Sequence, residues 1–165
     1  AYSIINKNSG YIRIQRKDDV DVAQTLYTKQ AIVTPDTSIY RTATPSIRIA
    51  PKSATIDCNS YPYAFKVPVN NGQTCTPTLY VRESESGDGA AYNGNRVKLY
   101  VKSNVNAGIT SDTLLDTATA SSDGAWEALT GSTAAVTDDC ELEFYIVANG
   151  TTGWINIDDF SFVNA

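Results

Sequence analysis

Histidine is absent from all 165 residues. That excludes Ser-His-Asp and Cys-His nucleophilic catalysis, and every metal site built on imidazole. An enzyme made from this chain would have to rely on paired carboxylates, as glycosidases do. No catalytic motif marks such a pair, so no enzymatic activity is expected. Methionine is absent as well. No run of about 18 apolar residues occurs, so no helical membrane span and no membrane partner are expected. Positive charge is scarce: 13 Lys and Arg face 18 Asp and Glu, a net charge of −5. That balance argues against a nucleic-acid partner held through its phosphates. Cysteine is limited to three residues, an odd number, and no Cys-x-x-Cys spacing suggests a metal.

What is present reads as strands. Ten Tyr accompany many Thr, Ser and Val, the residues that suit a pleated surface. Alternating segments recur at short intervals: Tyr11-Ile12-Arg13-Ile14-Gln15-Arg16, Ser46-Ile47-Arg48-Ile49-Ala50, residues 63–69, 76–83, 96–102 and 113–120, and Leu142-Glu143-Phe144-Tyr145-Ile146-Val147. The spacing predicts an all-β sandwich or barrel in one domain. Asn70-Asn71-Gly72 is a hairpin signal. Residues 84–95 and 104–112 read as loops.

The charge is unevenly spread. Residues 1–52 hold eight Lys and Arg against four Asp, whereas residues 53–165 hold five against fourteen acids. Residues 1–35 therefore read as a basic arm or extra strands outside a sandwich of residues 36–165. Lys7, Arg13, Arg16 and Lys17 would be its contacts with an acidic partner. Cys58 and Cys75 flank a short segment and are the candidate disulfide. Cys140 shares the parity of Leu142 and Phe144 and should face inward.

The order of motifs carries a resemblance. Thr37-Ser38-Ile39-Tyr40 with Pro45-Ser46-Ile47-Arg48-Ile49, then Lys66-Val67-Pro68-Val69, Tyr80-Val81-Arg82-Glu83-Ser84 and the closing Gly153-Trp154-Ile155-Asn156-Ile157-Asp158-Asp159 resemble jelly-roll β-sandwiches of the carbohydrate-binding-module type. With the insertion of residues 87–95, they resemble the versions of that fold used by tailed-bacteriophage virion proteins. The resemblance implies a non-enzymatic capsid decoration protein on the virion exterior, extracellular after release. It would be a homo-oligomer that binds between subunits of the major capsid protein. Two alternatives stand beside it: a glycan-binding module of a tail fibre or secreted bacterial protein, and a bacterial surface or appendage subunit.

Each reading nominates residues. A glycan site would use exposed aromatics as stacking platforms, with Tyr92, Tyr61 and Tyr63 the candidates and Asn93 and Asn95 bonding hydroxyls. Trp126 and Trp154, on strands next to turns, are expected to pack rather than bind. Modules of this type also suggest a structural calcium at Asp158 and Asp159. Neighbouring strand residues face opposite ways, so one of the two would point inward and need a partner such as an Arg. No other cofactor is expected.

Overall fold

The computed structural model describes residues 2–7, 11–16, 31–51, 65–109 and 112–165, with only the backbone described for 2–7, 11–16, 31, 32 and 51. Among these residues there is no α-helix. The strands are β1 (Tyr2–Lys7), β2 (Tyr11–Arg16), β3 (Ala31–Asp36), β4 (Ser46–Pro51), β5 (Phe65–Val69), β6 (Cys75–Glu83), β7 (Lys98–Ser103), β8 (Thr113–Thr117), β9 (Glu127–Thr130), β10 (Cys140–Val147) and β11 (Ile155–Asn164). β1 and β2 pair as an antiparallel hairpin. The others form two antiparallel sheets, ordered β5-β10-β7-β8 and β3-β4-β11-β6-β9.

Period-2 alternation places the core between the sheets. Phe65, Val67 and Val69 of β5, Leu99 and Val101 of β7, and Leu142, Phe144 and Ile146 of β10 form one inner face. Ile47 and Ile49 of β4, Leu79 and Val81 of β6, Leu129 of β9, and Ile155 and Ile157 of β11 form the other. Burying each of these large side chains contributes about 1.5–3 kcal/mol. Phe160 stacks on Phe65 with ring centroids 4.2 Å apart and joins the two layers.

The Asn70-Asn71-Gly72 segment does not close a hairpin. β5 pairs with β10, while β6 lies between β11 and β9 in the other sheet. The turn instead carries the chain across the sandwich. Gly72 has φ 84, a conformation that suits glycine, and its N–H donates to the Val136 carbonyl at 2.8 Å.

β11 changes face partway along. Ile155 and Ile157 point inward, so strict alternation would send Asp159 inward and Phe160 out. The pairing with β6 slips between Asp158 and Ser161, and Asp159 takes φ 47. This bulge adds a residue, leaves both Asp side chains outside the core, and returns Phe160 to it, 2% exposed.

The first strand pair lies where the sequence suggested an arm. Lys17 falls outside the described residues, and the side chains of Lys7, Arg13 and Arg16 are not described. Cys58 also falls outside them. Cys75 is a free thiol, wholly buried in the core; burial pushes the thiol up to about 11. Cys140 is free too and packs against the core, as its parity predicts.

Candidate functional site

The outer face of the five-stranded sheet is the most unusual surface of the molecule. Register fixes its layout. One row across the sheet runs Thr34, Arg48, Asn156 and Arg82. Beside it lie Asp36 paired with Ser46, and Asp158 paired with Tyr80. Trp154 precedes β11 and shares the outward parity of Asn156. An outer sheet face usually carries solvated side chains, yet Asp36, Ser46, Arg82, Trp154, Asn156 and Asp158 are all buried here.

Hydrogen bonds and ring contacts organise this face. Asn156 Nδ2 donates to Asp36 Oδ2 at 3.1 Å and to Ser46 Oγ at 3.0 Å. The Asp36 carboxylate also accepts the N–H groups of Ser38 and Ile39. Burial works to raise its pKa, but these donors and the nearby Arg48 outweigh it, and the carboxyl is held below its ordinary value. Arg82 makes a two-pronged pair with Asp88 at 2.8 and 2.9 Å. Two guanidinium groups cap aromatic rings, Arg41 over Tyr80 and Arg48 over Trp154, each 3.5 Å from the ring centroid. Three buried polar atoms have no hydrogen-bond partner among the described residues: Asn164 Oδ1 at the far end of β11, and two that belong to this face, the Trp154 Nε1 donor and the Asn156 Oδ1 acceptor. Buried polar groups are normally paired, so both mark a place where a partner is missing.

Asp158 and Asp159 converge on one loop. Asp158 Oδ2 accepts the Arg41 N–H at 2.9 Å. Asp159 accepts Arg41 NH1 at 2.6 Å and the Thr42 hydroxyl at 2.7 and 2.8 Å. Neither Asp faces the core; the more buried Asp158 is met by backbone N–H groups and Asp159 by the Arg41 guanidinium. Burial pushes the Asp158 carboxyl up, against the pull of the Arg41 and Asp159 N–H groups. These residues do not fit calcium, which takes about 6–8 oxygens. Their oxygens are taken by N–H and O–H donors, and a guanidinium stands where the cation would. Among the described residues no three Asp, Glu or Cys converge as a metal site.

The loop residues expected to meet a glycan bind other parts of the chain. The Tyr92 hydroxyl donates to the carbonyl oxygens of Asn95 and Asn149 at 3.0 and 2.8 Å. Asn93 Oδ1 accepts the N–H groups of Thr151 and Thr152, and its Nδ2 donates to Thr151 Oγ1. The Asn95 N–H donates to Asn149. These bonds join residues 92–95 to residues 149–152. Tyr61 and Tyr63 lie outside the described residues. Trp126 is half-buried just before β9.

A cleft of about 350 Å³ opens beside this loop, lined by Glu83, Glu85, Tyr92, Arg96 and Asp123 among others. Arg96 lies between Glu83 and Asp123 and bonds both. Glu83 also accepts the Val97 N–H at 3.0 Å. Burial pushes its carboxyl up, opposed by Val97 and Arg96. With a fixed guanidinium between them, the two carboxylates form a structural ion-pair cluster rather than an acid/base pair.

Arg48, Asn156, Asp36 and Tyr80 escaped the sequence reading. Parity was the available signal: with Ile47, Ile49, Ile155 and Ile157 inward, Arg48, Trp154 and Asn156 must share the other face.

No family model matches the chain, and no curated protein matches it. Solved structures do. The chain is similar to a xylanase 10B fragment from Clostridium thermocellum with a family 22 carbohydrate-binding module and a family 10 glycoside hydrolase module, complexed with xylohexaose: 12% identity, TM-score 0.58, 81% of this chain and 24% of that one. It is similar to the C-terminal family 22 module of that enzyme, at 13% identity and TM-score 0.55, over 81% of each chain. A xylan-binding domain of family 22 matches at 12% identity and TM-score 0.56, again over 81% of each chain. The chain thus spans about a quarter of the first of these proteins. At these identities the likeness is one of fold: an all-β jelly-roll sandwich of the kind found in carbohydrate-binding modules.

Proposed function

We propose that this chain is a non-catalytic module that binds a glycan on the outer face of its five-stranded sheet. One observation carries the reading: a tryptophan lies on that face, and its own indole N–H and the neighbouring Asn156 Oδ1 are both buried without a partner among the described residues. A sugar ring suits such a site. Its C–H face packs on an indole, and its hydroxyls both donate and accept. The neighbouring Asp36 and Ser46 are both held by Asn156 Nδ2, and Arg82 by Asp88, so the polar groups are oriented before a ligand arrives. Arg41 is tied to Asp159, whereas Arg48 rests over the Trp154 ring and makes no ion pair or hydrogen bond with a described residue. Such contacts are worth about 0.5–2 kcal/mol, so a sugar can displace Arg48 from the indole. The fold supports the reading, since it is the fold of domains described as xylan-binding.

The capsid reading draws no support from the fold or the likenesses, and the side chains of its basic segment are not described. The glycan reading is tested by affinity electrophoresis and calorimetry against soluble xylans, glucans, mannans and pectins. Binding to one class is expected, with loss of about tenfold or more for Trp154→Ala. An unchanged circular dichroism spectrum would confirm that the variant is folded. Absence of binding across the panel, or full binding by the folded variant, overturns it.

A further inference from the structure

We infer that the ligand of this face carries a carboxylate, as in a uronic-acid-bearing polysaccharide, and that Arg48 reads it; the inference rests on the glycan-binding reading above. The described arginine side chains divide sharply. Arg41 pairs with Asp159, Arg82 with Asp88, and Arg96 with Glu83 and Asp123. Arg48 makes no ion pair or hydrogen bond with any described residue; its one contact of note is the Trp154 ring.

Nearby acids do not account for Arg48. Asp36 lies close enough to feel its charge, but that carboxylate already accepts Ser38, Ile39 and Asn156. Asp88 also feels Arg48, yet both its oxygens are bonded to Arg82. Both anions have their donors, and the Arg48 fork has no acceptor.

A half-buried guanidinium presents up to five N–H donors in one plane, a shape that matches the two oxygens of a carboxylate. Trp154 Nε1 is another donor in search of an acceptor, on the same face. The unpartnered acceptor of this row, Asn156 Oδ1, lies between Arg48 and Arg82 and suits a hydroxyl. Two donor groups to one acceptor is an excess that a neutral sugar leaves partly unmet and that a uronate satisfies. When Arg48 moves off the indole to take the carboxylate, it uncovers the ring for the sugar face. One side-chain movement would thus open the platform and bind the acid.

The experiment compares glucuronoxylan and polygalacturonate with the same polymers after carboxyl reduction, by calorimetry on the full chain. The expected result is at least about tenfold tighter binding of an acidic polymer, the scale of one charge-assisted bidentate contact. That margin should shrink with added salt. Arg48→Gln should bring the acid-to-neutral ratio towards one. Arg48→Lys, which keeps the charge and loses the fork, should fall between. Equal binding of acidic and reduced polymers by the wild type, or an unchanged ratio in a folded Arg48→Gln, overturns the uronate assignment while glycan binding stands. Failure to bind any of the polymers, acidic or neutral, overturns the assignment, and failure across the wider panel removes the glycan reading with it.

Discussion

Replacing Asp159 tests whether the bulge in β11 holds the two halves of that strand on their proper faces. Asp159 sits at φ 47, where a Cβ costs about 1–2 kcal/mol, with Asp among the residues that tolerate it best. Its carboxylate bonds Arg41 and Thr42. The ion pair is partly open to solvent, with side chains 32% and 19% exposed, so it contributes about 1 kcal/mol or less. Asp159→Gly removes the backbone penalty and the ion pair together, and the two changes should offset to within about 1 kcal/mol. Asp159→Ala keeps the penalty and loses the pair, so it should fall below the wild type by about 1–2 kcal/mol. Asp159→Val adds a β-branched side chain at positive φ and should lose about 2–3 kcal/mol. In an ordinary strand the order would reverse, with valine best and glycine worst. Urea unfolding followed by tryptophan fluorescence measures the order, provided the slope stays constant across variants. A valine variant at least as stable as the glycine variant would refute the bulge argument.

Three further outcomes follow from the described contacts. Phe160→Ala should destabilise by about 3–5 kcal/mol, since the ring is 2% exposed and stacked on Phe65; a melting temperature within a few degrees of wild type would count against that packing. The Arg82 hydrogen bond holds the Asp88 carboxyl below its ordinary 3.8. The folded state then binds fewer protons than the unfolded chain, so this stabilisation is present above about 3.8 and is lost as pH falls through the lower folded value. Asp88→Asn should accordingly flatten the acid limb of the stability–pH curve, and an unaltered limb would contradict the pairing. In the native protein Cys140 should react with iodoacetamide at pH 8 well before Cys75, whose burial and raised pKa suppress the thiolate; peptide mass spectrometry would reveal the opposite order.

Much of the fold was legible because alternation is a direct record of burial. β4, β6, β10 and the first half of β11 can be read from Ile47 and Ile49, Leu79 and Val81, Leu142 and Phe144, and Ile155 and Ile157. Two features were hidden. Asn70-Asn71-Gly72 has the composition of a hairpin turn, but which sheet receives β6 depends on partners more than fifty residues away. The bulge at Asp159 is equally silent, because Asp in a strand pattern announces polarity and not a positive φ. The site was half legible for a related reason. Parity groups Trp154, Asn156 and Arg48 on one face, yet only their spatial neighbours show that, among the described residues, the first two each have an unpartnered atom and Arg48 pairs with no acid. Tyr92 reads in sequence as an aromatic in a glycine-rich loop; that its hydroxyl bonds the backbone of a second loop is visible only in three dimensions.

The order of strands has a bearing on how the chain is made. Of the pairings in the two large sheets, only β3–β4 and β7–β8 join consecutive strands. Until β11 arrives, the five-stranded sheet exists at most as two halves, β3–β4 and β6–β9. Likewise, β5 has no neighbour until β10 appears. Both strands that close the gaps follow every other described strand in sequence. On the ribosome, β4 and β6 must therefore wait with bare edges, the condition that favours pairing with the wrong molecule. Loop closure on this scale also slows folding. Correct folding should depend on how quickly β10 and β11 follow the earlier strands, and on what shields the open edges until then.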